Sequence, residues 1–276
     1  MLCKVFEPHP ALKEFVNHII VYDVTVSAFA EPLVCSFPPL PENFLYIYVF
    51  EPPTVGFLSQ NRTETMSDSV VIGQQTNRIQ LTMPHHNVSV RIGFQPAGLY
   101  RLLGVPMHRH FLDKNIDTAE FFKDEIKEVR EQLQEAVSYR HMVSVVEAFL
   151  MKKSRRLKPK LPIDHVLPSI LYNGGLTKVE DIAHQSCVSF RQLERQFHQR
   201  VGVSPKFFLR LVRFAKAWML RESNLGLSWT RIAYQCGYFD QMHFIRDFKE
   251  FAGASPSVIE ADINEATAFM KTGLKL

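Results

Sequence analysis

One short pattern occurs twice in this chain. Residues 182–197 read IAHQSCVSFRQLERQF, and residues 232–248 read IAYQCGYFDQMHFIRDF. Both open on Ile-Ala and place a Gln three residues after the Ile. Both close on a large apolar residue four positions before a Phe, Leu193 with Phe197 and Phe244 with Phe248. Residues four apart share one face of a helix, so each copy predicts a helix that buries that pair. The small Ala lets an earlier helix cross close by.

The flanking punctuation extends this to a chain of capped helices. Asp164 can cap a helix that stops at Asn173-Gly174-Gly175. Thr177 with Glu180 and Ser189 with Gln192 have capping-box spacing, so helices start near 178 and 190. Ser204-Pro205 and Ser255-Pro256 each put an N-cap before a Pro suited to the first helical position. Ser228 and Asp240 cap two more. Seven helices are expected from residue 161 onward, with the fourth a long amphipathic one through Phe208, Leu211, Val212, Ala215, Trp218 and Met219.

In each copy of the pattern, a short helix, a turn at Cys187-Val188 or Gly237-Tyr238, and a second helix make a helix-turn-helix, whose second helix enters the DNA major groove. A lone copy reads as an ordinary helical hairpin. Two copies joined by one rigid helix read as a double reader of DNA. A linker helix from Pro205 to Arg221 spans roughly 25 Å, which can hold two recognition helices about one DNA turn apart. Arg191, Glu194 and Arg195 in the first copy face away from the core. Gln241, Met242, Ile245 and Arg246 do so in the second.

Charge divides the chain the same way. Residues 1–151 hold 12 Lys+Arg and 17 Asp+Glu, a net −5. Residues 152–276 hold 20 and 11, a net +9. A basic half joined to an acidic one implies that one end meets a polyanion. The fold class expected is α+β multidomain: an antiparallel β domain with a helical hairpin, then an all-α domain. Domain bounds are 1–151, a basic linker at 152–160 (KKSRRLKPK, ending at a Pro boundary), and 161–276. The linker basics read either as solvation or as extra phosphate contact.

In the first half, Pro-rich turns separate β-rich stretches at 18–26, 44–50, 68–73, 78–83 and 88–94. Short strands at close spacing predict a sandwich or barrel. Phe122, Ile126, Val129, Leu133 and Val137 then form one apolar helical stripe. It reads either as packing on the β domain or as a dimer seam, and a second helix follows Ser138.

The C-terminal segment, about 161–266, resembles the DNA-binding domain of AraC/XylS-type transcriptional regulators. The carriers are residues 182–220, with the Gly-Val-Ser-Pro turn and the long helix, and residues 232–259, where Gly-Tyr, Asp-Gln, His-Phe, Arg, Phe-Lys and Gly-x-Ser-Pro fall in register. The resemblance implies base contacts by Arg191 and Arg195, with Ser189, Gln192 and Glu194 nearby. In the second unit it implies Gln241, Met242, Ile245 and Arg246. Arg195 and Arg246 have phosphate or carboxylate contact as the alternative. Lys206, Arg210, Arg213, Arg231 and Lys249 are phosphate candidates, with solubility as the plainer role. One departure stands out: the first turn has Cys187 where the family usually has Gly.

FQPAGLYRLLGVP (94–106) resembles a Phe-x-Pro-Gly-Gly…Leu-Leu segment of one subset of these regulators. That implies a cupin-like barrel taking a small-molecule effector, with a dimerisation hairpin after it. The implied protein is a cytoplasmic, bacterial, homodimeric regulator of transcription. It binds double-stranded promoter DNA and an unidentified effector, with RNA polymerase as a further partner and no cofactor.

Other classes fit less well. The longest apolar run, 44–50, is far short of a membrane span, and no secretion signal opens the chain. The four Cys are scattered without CxxC spacing. His85, His86, His108 and His110 lack the His-x-His-then-Glu pattern of metal cupins, so no metal is expected. An alkyl-transfer DNA repair protein would need a Cys cluster that the first half lacks, having only Cys3 and Cys35. No phosphate loop, nucleophile elbow or dinucleotide fingerprint is present, so no enzyme is expected. A ligand- or protein-interaction module with a degenerate DNA-binding domain stays open beside the regulator.

Overall fold

The computed structural model describes residues 2–26, 33–224 and 226–259. Among the described residues, ten strands form two antiparallel sheets. In chain order they are β1 (Leu2–Phe6), β2 (Val16–Thr25), β3 (Val34–Phe37), β4 (Phe44–Tyr48), β5 (Thr54–Phe57), β6 (Arg62–Thr65), β7 (Ser69–Ile72), β8 (Ile79–Thr82), β9 (His86–Phe94) and β10 (Asn115–Asp117). The larger sheet has the order β1-β2-β9-β4-β7-β10, the smaller β3-β8-β5-β6.

Strand alternation gives the larger sheet two different faces. Ile20, Arg91, Tyr46 and Val70 lie in one row across β2, β9, β4 and β7. Tyr22, Ser89 and Tyr48 lie in the next row on that face. This face looks toward Val55, Phe57 and Ile79 of the smaller sheet. On the opposite face Ile19, Val21, Leu45, Ile47, Val71, Val90 and Ile92 pack against helices.

Eleven α-helices among the described residues complete the architecture, with a further helical turn at 256–259. They are α1 (Gly98–Leu103), α2 (Met107–His110), α3 (Ala119–Phe122), α4 (Glu125–Gln134), α5 (Tyr139–Ser154), α6 (Pro162–Tyr172), α7 (Val179–Gln185), α8 (Phe190–Arg200), α9 (Pro205–Ser223), α10 (Trp229–Gln235) and α11 (Gln241–Ala252). The expected plan of an antiparallel β domain, a helical hairpin (α4–α5) and a seven-helix all-α segment is the one observed. The end of the seventh helix lies outside the described residues.

Two expectations need correction. The dimer-seam reading of the α4 stripe does not hold. Phe122, Ile126, Val129 and Leu133 are buried in the chain's own core with Val146, Phe149 and Leu150 of α5. Only Val137 is exposed, and it lies beyond the end of α4. The hydrophobic effect that would drive a seam is already used within one chain. Second, the basic stretch 152–160 does not begin as a linker, because α5 continues through Ser154. Lys152 and Lys153 pair with Glu125, and Lys160 pairs with Glu14. These pairs are local, and Lys152, Arg155, Arg156, Lys158 and Lys160 stay exposed.

The caps mostly behave as the sequence implies. The hydroxyls of Ser138, Ser189, Ser204 and Ser228 accept from the backbone N–H three residues on, and so does the Asp240 carboxylate. Asp164 is not the N-cap of α6. It is the third helical residue and reaches back to accept from Leu161 N at 2.9 Å. Thr177 does not cap α7, which starts one residue later than expected, with Lys178 at the N-cap position.

The β domain touches both halves of the helical segment. Val24 and Cys35 share a core with Trp218, Phe244 and Phe248. Ala97 shares another with Leu193, Phe197 and Phe208. His108 Nδ1 donates to the His198 carbonyl at 3.0 Å, and Gln199 Nε2 donates to the Tyr100 hydroxyl at 3.0 Å.

Candidate nucleic-acid interface

The two copies of the pattern fold alike down to the hydrogen bonds of their turns. In the first, Cys187 N donates to His184 O and Val188 N to Ala183 O, at 3.0 and 3.1 Å. In the second, Gly237 N donates to Tyr234 O and Tyr238 N to Ala233 O, both at 3.0 Å. Both turns need a left-handed residue, with φ +51° at Cys187 and +72° at Gly237. At Gly237 a Cβ would also lie 2.3 Å from Leu176 Cδ2, the end of a half-exposed side chain that can turn away. Cys187 is exposed and carries only the backbone cost. Cys187→Gly is therefore expected to raise stability by about 1 kcal/mol, read as an upward shift of the unfolding midpoint. A fall in the midpoint would mean the thiol makes a contact the geometry does not show.

The pairs predicted to be buried are buried: Leu193, Phe197, Phe244 and Phe248 are each 1% exposed or less. α9 has 19 residues, about 28 Å at 1.5 Å per residue, and separates α8 from the α10–α11 unit. Arg191 and Arg195 are exposed on α8, and Gln241, Met242 and Arg246 on α11.

Other expected contacts are placed differently. Ser189 and Gln192 close a reciprocal box, with Ser189 Oγ accepting from Gln192 N and Gln192 Oε1 accepting from Ser189 N at 2.9 Å. Reading a base with either would open the start of α8. Glu194 lies 3.7 Å from His198 Nε2 one turn on. Ile245 is half-buried and packs against the core of the second unit.

Among the phosphate candidates, Lys206, Arg231 and Lys249 are exposed. Arg210 is not available: its guanidinium bridges α9 to α11, donating to Asp247 Oδ1 at 2.7 Å and also pairing with Glu250. Burial opposes its charge, but the bonds to Glu250 and Asp247 outweigh that and hold the arginine firmly protonated. Arg213 donates to the Gly175 carbonyl at 3.1 Å and lies over the Tyr238 ring. Both are braces inside the domain.

Phe239 was missed by sequence reasoning. It stands between the second turn and the Asp240 cap and is 95% exposed, beside Met242 at 72%. A fully exposed ring at the start of a recognition helix has no structural work in the free protein. Ring and thioether together are an apolar surface suited to a thymine methyl.

Residues 182–261 match the family model described as a helix-turn-helix domain. The C-terminal segment thus carries a helix-turn-helix domain. Over 76 residues the chain is 40% identical to the HTH-type transcriptional activator RhaS of Escherichia coli O139:H28, a stretch covering 27% of each protein. It is 38% identical over 78 residues to RhaS of Salmonella arizonae, 28% of this chain and 27% of that one. The match thus spans about a quarter of these relatives' length. Among solved structures, ToxT from Vibrio cholerae O395 aligns over 91% of this chain and 98% of its own, at 13% identity and a TM-score of 0.47. A 1.65 Å structure of ToxT from Vibrio cholerae aligns over 88% and 97%, at 14% and 0.48.

Proposed function

We propose that this protein is a sequence-specific DNA-binding regulator of transcription, controlled by a small molecule taken up in its β domain. The observation that carries this reading is the pair of equivalent helix-turn-helix units, each offering exposed arginine and polar side chains on its second helix and joined by one rigid helix. The β domain's contacts to both units supply a route for control, because any change in the barrel alters how the two units are held. In this reading residues 1–151 regulate and 161–276 bind DNA, and the protein acts by binding rather than by catalysis. It works in the cytoplasm as a homodimer and meets RNA polymerase at its promoter. With the α4 stripe buried in its own chain, the dimer contact falls to another face. No helix among the described residues is long and apolar enough to cross a membrane.

The test is selection of the full chain against a random DNA pool at two salt concentrations. Two enriched blocks about one helical turn apart are expected. Arg191→Ala and Gln241→Ala should each relax one position in the matching block, costing about 1–3 kcal/mol on the selected site. Equal losses on random DNA would remove their base-reading role. Salt-sensitive binding without enrichment would leave only phosphate contact, and no binding would favour the interaction-module reading.

A further inference from the structure

The space between the two sheets is not purely apolar. Arg91 of β9 and His18 of β2 are each 3% exposed, and Glu42, just before β4, is 4% exposed. Arg91 and Glu42 line a cavity of ≈ 50 Å³ whose other walls include Leu40, Phe44, Tyr46 and Ile79. A second space of ≈ 30 Å³ continues beyond Tyr46 and Tyr48.

A buried guanidinium remains charged and needs a counter-charge. Arg91 has none at ion-pair distance among the described residues. Its Nη2 lies 3.5 Å from His18 Nε2, it hydrogen-bonds to Tyr46, and its Cζ sits 4.8 Å over the Phe44 ring and 5.5 Å over Tyr22. Its Nε has no partner, nor does Glu42 Oε2 on the same cavity wall. Glu42 Oε1 already accepts from Asn17 at 3.1 Å. Natural cores pair such a cation, and here the unpartnered donor and acceptor both belong to groups lining one cavity.

We propose that this lumen binds a small aliphatic carboxylate, whose oxygens meet the Arg91 guanidinium while its short apolar body lies against Phe44, Tyr46 and Ile79. This rests on reading the β domain as the effector-binding part. Size limits the ligand: the two spaces together are about half the ~150 Å³ that takes up a benzene ring. Propionate and butyrate fit, and a long chain does not.

Glu42 gives the site a pH dependence. Burial pushes its carboxyl up to about 7, against the pull of Arg91 and Asn17. His18 is pushed down to about 3, by burial first and then by Arg91, so it stays neutral near pH 7. Its 3.5 Å approach to Glu42 is then no ion pair. Arg91, His18, Asn17, Tyr22 and Tyr46 also face this space, and burial pushes the Tyr22 hydroxyl further up, away from neutrality. A protonated Glu42 can donate to the bound anion, and an ionised one repels it. Affinity is therefore full below pH 7 and falls as pH rises through it.

Isothermal titration of the full chain tests this with acetate, propionate, butyrate and octanoate. Propionamide, 1-propanol, chloride and inorganic phosphate are the comparison ligands at matched ionic strength. Propionate or butyrate should bind at least tenfold tighter than the amide, alcohol, chloride or phosphate. Arg91→Met should weaken that binding by about 10- to 100-fold, in a variant whose circular dichroism and midpoint show it folded. Glu42→Gln should keep binding and lose the fall above pH 7. The proposal is overturned by equal binding of propionate and propionamide, by tightest binding of octanoate, by carboxylate binding that survives in Arg91→Met, or by no carboxylate binding at all. DNA occupancy is followed separately by fluorescence anisotropy. A carboxylate that binds without changing occupancy leaves the site and removes effector control. DNA binding without any carboxylate response removes the site and leaves the regulator.

Discussion

Phe248→Ala should destabilise the chain by about 3–5 kcal/mol, read from denaturant unfolding. The ring is fully buried at the centre of an aromatic cluster. It stacks on Trp218 at 5.8 Å and 16°, and meets Trp229, Phe214 and Phe244 at 5.0, 5.3 and 5.4 Å. These rings come from α9, α10 and α11, so one side chain fixes the angles among all three. Removing it leaves a cavity that helices pinned by a turn and an ion pair cannot close. The same core includes Val24 and Cys35 of the β domain, so the loss should also loosen that contact. Phe197→Ala, fully buried against Phe208, should cost a similar amount in the first unit. Phe239→Ala is the control: its ring is almost wholly exposed, so stability should change by no more than about 0.5 kcal/mol. A loss below about 1 kcal/mol for Phe248→Ala would show that the second unit is not organised around this ring.

How much of this was legible in the sequence depends on where each element's signal resides. Leu193, Phe197, Phe244 and Phe248 announced themselves through helical spacing, and most caps through a single Ser or Asp. Both kinds of signal are local. The strands β2, β4, β7, β8 and β9 were read from their apolar runs. By contrast β5 and β6 escaped, because TVGF and RTET are short and half polar, and their pairing depends on partners far along the chain. The α4 stripe was ambiguous for a physical reason. An amphipathic face records only that something covers it, and a seam and a core want the same residues.

The site separated along similar lines. Exposure of Arg191 and Gln241 follows from their place on a helix whose inner face is known. Recruitment of Arg210 by Asp247 and Glu250 joins residues from two different helices, so no local pattern gives it. The unpaired Arg91 was invisible as well. In sequence it is one arginine in an alternating strand, and its meaning comes from His18 on the neighbouring β2 and Glu42 just before β4.

The same non-local logic governs Asp164. Asp164→Ala should cost about 3–5 kcal/mol, because it strands Arg200. Arg200 is 3% exposed and donates through Nε to Asp164 Oδ1 at 2.8 Å, with its Nη2 on Oδ2. What would remain is a weaker bond to the Pro159 carbonyl at 3.3 Å and the face of Tyr100 at 4.6 Å. That is too little to replace the water a cation loses on burial. Asp164 also holds the start of α6 through Leu161 N, a cap interaction worth about 1 kcal/mol. The double variant Asp164→Ala/Arg200→Met separates the two effects. Removing both charges abolishes the stranded cation and keeps much of its volume, so the double variant should recover all but about 1–2 kcal/mol. If it is instead as unstable as Asp164→Ala alone, the loss belongs to the start of α6 and the ion pair contributes little. If it recovers, the pair adds little net stability over an uncharged core. Arg200 closes α8, and its stack on Tyr100, next to the Gln199–Tyr100 hydrogen bond, ties the first recognition helix to the β domain. The recovered double variant should then respond less to any ligand of that domain, with its DNA contacts unchanged.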